Sequence, residues 1–131
     1  MNAGRSPGRL SGGGAAAVGP PPAALDPVLE PARTRFRGLI LHRVLAFESL
    51  RTQAARGDHP VRALTAISDL AHKISGVGAT LGFAQIGTLA AAVEHSIAHG
   101  RAARCDPMRL HAETDPLLEA LLIEMEALLD E

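Results

Sequence analysis

Apolar side chains return every three or four residues through most of this chain, which is the period of one face of a helix. The stretch 33–56 carries Phe36, Leu39, Ile40, Val44, Phe47 and Leu50 at that spacing, and Gly57 is expected to end it. Asp58 and Pro60 are expected to open a second helix, with Val61, Leu64, Ile67, Ala71, Ile74, Gly78 and Leu81 on its apolar face. After Gly82 a third stripe runs through Phe83, Ile86, Leu89, Val93 and Ile97 and is predicted to stop at Gly100. The last face holds Leu118, Leu121, Leu122, Met125, Leu128 and Leu129. Its helix has two equally good starts, Asp106-Pro107 and Thr114-Asp115-Pro116.

The 131 residues are 47% hydrophobic, enough for one core and too few for two domains. Only 2% are aromatic, with no Trp or Tyr, so the core must be built from aliphatic side chains and three Phe. That mix suits packed helices better than a sheet. The fold predicted is all-α: an antiparallel up-down four-helix bundle, with a short extra N-terminal helix opened by Asp26 and Pro27 and running through Val28 and Leu29. Residues 1–22, rich in Gly, Pro and Ala, read as a flexible tail, and 23–131 as the bundle.

A formal charge of −1 gives no electrostatic reason to expect nucleic acid or an anionic membrane surface, so a protein partner is the default. The apolar runs are shorter than the roughly 20 residues of a membrane span. Cys105, the single cysteine, excludes an internal disulfide and fits a reducing, cytoplasmic compartment. Its expected role is that of a structural thiol.

The second helix contains Gly76 and Gly78 in its interior, each costing roughly 1 kcal/mol relative to Ala. Around His72, Ser68, Asp69, Ser75 and Gly76 stand one turn away and Ala79 two turns away, so the neighbours are mostly small. His72 directly follows the core position Ala71, about 100° off the buried stripe and therefore on the rim. Glu94 follows Val93 on the third helix in the same way. An ordinary boundary histidine, beside glycines that let another helix approach, accounts for this spacing as well as a reactive one does. His95 and His99 stand four apart, but no third metal ligand lies near them in sequence, and solvent-facing histidines are expected there. Glu124 to Glu131 read as the polar face of the last helix. The glycines match neither dinucleotide nor P-loop spacing.

The run Ala71-His72-Lys73-Ile74-Ser75-Gly76-Val77-Gly78-Ala79-Thr80-Leu81-Gly82 resembles the signature of histidine phosphotransfer (HPt) domains. His72, Ile74, Gly76, Leu81 and Gly82 fall in the matching places, and Ala90 to Glu94 resembles the family's third-helix pattern, in which a Gln or Glu approaches the histidine ring. The resemblance covers about 36–129 as an architecture and about 68–97 as a motif. It implies that His72 accepts a phosphoryl group from an aspartate of a receiver domain, supported by Lys73, Ser75, Gly76 and Glu94, with Ser68, Asp69 and Ala79 on the docking surface. The family commonly has Lys or Arg three residues after the histidine; this chain has Ser75 there and its only lysine at Lys73.

Imidazole, with an ordinary pKa of about 6.5, keeps a neutral nucleophilic fraction at cytoplasmic pH. If the two rims face each other, Glu94 can accept a hydrogen bond from Nδ1 and leave Nε2 free to attack. The chain itself is expected to hold no cofactor and no metal; magnesium is expected on the receiver only. The implied partners are a response-regulator receiver and a hybrid histidine kinase, and the chain is expected to be a monomer without autokinase activity. Two rival functions remain at this level: an interaction module that inhibits a receiver or kinase without carrying phosphate, and a kinase-like dimerising hairpin over 36–97.

Overall fold

The computed structural model describes residues 27–130. Four helices follow one another: α1 (Glu30–Ala55), α2 (Pro60–Leu81), α3 (Ala84–Ala102) and α4 (Pro107–Leu129). There is no strand among the described residues, and short connections make neighbours antiparallel, so the all-α, up-down four-helix bundle is the fold. The predicted tail lies outside the described residues, as does Asp26. The short N-terminal helix is present as one 3-10 turn, Pro27–Leu29, contiguous with α1.

The core follows the predicted stripes. Ile40, Val44 and Phe47 from α1 meet Leu64, Ile67, Ala71 and Ile74 from α2, Val93 and Ile97 from α3, and Leu118, Leu121, Leu122 and Met125 from α4. Three expected core positions are corrected. Val61 is 45% exposed and Leu39 40% exposed, and Leu129, the last residue of α4, is exposed. Each is a marginal member of its stripe, and the adjacent buried residue (Leu64, Ile40, Leu128 in part) fills the interface instead.

The helix ends show which punctuation the chain uses. Gly82 stops α2 as predicted: it adopts φ +87°, which costs a glycine little, and lets Phe83 N–H donate to Gly78 O at 2.8 Å. Pro60 opens α2, but Asp58 does not cap it. The preceding residue is His59 in a left-handed conformation, and the Asp58 carboxylate accepts from His59 Nδ1 at 2.7 Å. Gly100 does not end α3, which continues to Ala102. It is buried, and a Cβ there would collide with the Leu110 side chain, so its smallness admits α4.

Of the two starts for α4 the first is used. Asp106 caps the helix by accepting from Met108 and Arg109 N–H, both at 3.1 Å. Pro116 sits inside the helix on an exposed position, where the carbonyl it leaves unpaired can meet water. Thr114 is buried and shares a 2.8 Å hydrogen bond with Ser96 of α3.

Candidate functional site

The pair α2 and α3 forms the most extensive helix contact in the bundle. Its intimacy comes from two glycines. A Cβ on Gly78 would stand 3.1 Å from Gly87 N and 3.3 Å from Phe83 O, and a Cβ on Gly87 would stand 3.1 Å from Ala79 N and 3.3 Å from Ser75 O. Backbone cannot yield as a flexible side-chain tip can, so the two helices approach this closely only without those methyl groups. Six residues before Gly78 is His72; seven after Gly87 is Glu94. In an antiparallel pair those steps are equal to within one residue, about two turns. The glycine contact therefore sets the separation at which the imidazole meets the carboxylate.

They do meet. His72 Nδ1 lies 2.7 Å from Glu94 Oε2. A carboxylate only accepts, so Nδ1 carries the proton and donates, and in the neutral ring Nε2 holds the lone pair. The His72 side chain is 71% exposed, whereas Glu94 is 32% exposed and half-packed against the bundle. Ala71 and Val93, the residues just before them, are fully buried, which places both side chains on adjoining rims.

The surroundings of the ring are slight. Asp69, Gly76 and Ala79 are exposed and Ser68 is half-buried. Gly76 and Gly78, equivalent in sequence, part company here. A Cβ on Gly76 would meet nothing within 4 Å, so its helix-propensity cost is not offset by packing inside the bundle. Ser75 turns its hydroxyl to the backbone, donating to His72 O at 2.9 Å. Lys73 is exposed and lines, with Asp69, His72 and Glu94, a shallow cleft of about 420 Å³ on the α3 side.

On the other side of His72 a larger groove of about 700 Å³ runs between α1 and α2. Phe36, Leu39, Val77 and Leu81 give it an apolar floor, and Arg35 and Arg43 stand with Lys73 along it. Neither this groove, nor Arg43, nor Gly87 was singled out in the sequence. The available signal for Arg43 was its place directly before the core residue Val44, one step from the buried stripe on the opposite side to the step that marks His72 after Ala71. His95 and His99 stack with ring centroids 6.1 Å apart on the exposed side of α3. Cys105 is half-buried and packs against the core. No helix among the described residues is long and apolar enough to cross a membrane.

Fold and rim together define a class: a helical bundle that offers one imidazole, backed by a carboxylate on the next helix, to solvent. The family model of the Hpt domain matches residues 42–131, more than half of the chain, and the chain belongs to the Hpt domain family. Hpt domains serve histidine phosphotransfer in phosphorelays and interact with the receiver domains of two-component systems. No curated protein and no solved structure matches the chain.

Proposed function

We propose that His72 carries the phosphoryl group, relaying it between aspartates of receiver domains, with residues 23–131 as the phosphotransfer unit of a pathway that joins a hybrid histidine kinase to a response regulator. The observation that carries the reading is the His72–Glu94 pair: a largely exposed ring, tethered through Nδ1, with Gly76 one turn away facing open space.

In the transfer, the Nε2 lone pair forms the N–P bond while the P–O bond of the aspartyl phosphate breaks. The electron pair returns to the aspartate carboxylate, and the ring takes the positive charge. No proton moves. The proton on Nδ1 stays on the ring, and the Glu94 carboxylate faces the charge that develops there. The receiver contributes magnesium and its acidic cluster; the bundle contributes the nucleophile, its tautomer and a clear approach. Ser68, Asp69, Gly76 and Ala79 form the surface over which the receiver docks, and Ser75 holds the local backbone through its bond to His72 O.

Incubation with a phosphorylated receiver domain tests the reading. Label that is acid-labile, alkali-stable and absent in His72→Gln is the expected result. Receiver binding without label on the bundle would overturn transfer in favour of an inhibitory interaction module.

A further inference from the structure

The family's usual cation three residues after the histidine is missing here, where Ser75 stands and gives its hydroxyl to the backbone. A phosphoryl group on Nε2 nonetheless brings about two negative charges to the rim. The two sides of the ring differ in their balance of charge. Toward α3 lie Glu94 and Asp69 with Lys73 alone against them; toward α1 lies the groove holding Arg43 and Arg35 beside the same Lys73 and no carboxylate. With Nδ1 fixed to Glu94 from the α3 side, the Nε2 edge of the ring points away from the Glu94 carboxylate.

Height along the bundle separates the two arginines. Arg43 stands twelve residues before the end of α1 at Ala55, and His72 twelve residues after the start of α2 at Pro60. In antiparallel neighbours joined by a short connection, equal counts mean equal heights, about 18 Å above the turn at 1.5 Å per residue. Arg35, counted the same way, is level with Thr80, two turns beyond the ring. Packed helix axes lie about 8–10 Å apart, a gap that an extended arginine on the rim of one helix spans to the rim of the other. Arg43 is half-buried, forms no hydrogen bond or ion pair among the described residues, and lines the same groove as His72.

From this juxtaposition we infer that Arg43 of α1 is a cation that pairs with the phosphoryl group on His72 Nε2, taking over from α1 the place of the cation absent from position 75. The inference rests on the phosphotransfer reading and adds to it a residue from a different helix. A guanidinium is suited to the task, since its planar fork matches two phosphoryl oxygens at once.

The test uses phosphoramidate and the full chain, so no partner is needed. Its P–N bond breaks as the P–Nε2 bond forms, ammonia leaves with the electron pair, and the ring takes the positive charge. Arg43→Gln is expected to slow labelling of His72 about tenfold, as befits a lost charge-assisted hydrogen bond. Arg43→Lys should recover most of the rate, and Arg109→Gln, a matched charge loss on exposed α4, should leave it unchanged. In the wild-type chain, labelling should move the Arg43 Nε–H resonance in a nitrogen–proton correlation spectrum, a readout independent of how any variant folds. Labelled wild type with an unmoved Arg43 resonance, or with an Arg43→Gln rate equal to wild type, overturns the inference alone. Wild type that takes no label at His72 overturns the phosphotransfer reading and the inference with it.

Discussion

Two seams of the bundle are closed by opposite means. Between α2 and α3 the contact is made by what is missing: Gly78 and Gly87 bring backbone against backbone, and exposed hydrogen bonds cross the rim from His72 to Glu94 and from Arg101 to Thr65. Between α1 and α4 charge closes the rim over the apolar core. Arg51 donates through Nε and Nη2 to the two oxygens of Asp115 at 2.7 and 2.8 Å, and its Nη1 reaches Glu119 at 2.6 Å. The hydrogen bonds that Arg51 donates to Asp115 and Glu119 raise its pKa against the opposing effect of burial, and the one to Asp115 holds that carboxyl below its ordinary value. The second seam bears on stability. The first bears on stability and on the position of the ring together.

That difference can be broken most forcefully at Gly78. Gly78→Leu puts a side chain where even a Cβ would press on Gly87 and Phe83 backbone, and should cost about 3 kcal/mol or more while separating His72 from Glu94. Thermal unfolding and phosphotransfer should both fall. Gly76→Gln, two residues away in open space, should keep the helix content and weaken only transfer from the receiver, because the long side chain obstructs approach to His72. Full transfer by Gly76→Gln would contradict the docking surface placed there.

At the charged seam, Asp115→Asn should cost about 1 kcal/mol at neutral pH, given side chains only partly shielded from solvent. The sign of its pH dependence follows from the lowered carboxyl. Asp115 contributes stability above the ordinary aspartate value of about 3.9 and loses it as pH falls through the lower folded value. Wild type and Asp115→Asn should therefore converge in denaturant midpoint below about pH 4. A gap that stays constant to low pH would mean that packing, rather than charge, is what Asp115 supplies. At neutral pH the two chains should transfer at equal rates.

The smallest change in stability is expected from Glu94→Ala, within about 0.5 kcal/mol, since its bond to His72 is exposed. Transfer should slow about tenfold, because the ring loses the partner that fixes its tautomer. Equal transfer rates with and without the carboxylate would remove Glu94 from the mechanism.

Much of this was legible in the sequence because helical period and rim position are local properties. The offset of His72 from Ala71, and of Glu94 from Val93, could be counted on one helix at a time, and the structure brings the two side chains within hydrogen-bonding distance. What eluded counting depends on neighbours distant in sequence. Gly100 reads as a stop signal, yet it is a seat for Leu110; Pro116 reads as a start, yet the helix is already committed by Asp106. Gly76 and Gly78 are indistinguishable until α3 arrives against one of them. Arg51 finds its carboxylate 64 positions away, and Arg43 shares a groove with His72 only because the α1–α2 connection is short.

The clasp of Gly78 on Gly87 acts as a spacer with a fixed setting. Separation between two helices is ordinarily an average over every side chain along them; here two residues decide it at the level that matters. Anyone grafting the His72–Glu94 pair onto another scaffold would have to transplant the pair of glycines before the imidazole, since a histidine and a glutamate on helices a methyl group further apart would be two unrelated surface residues.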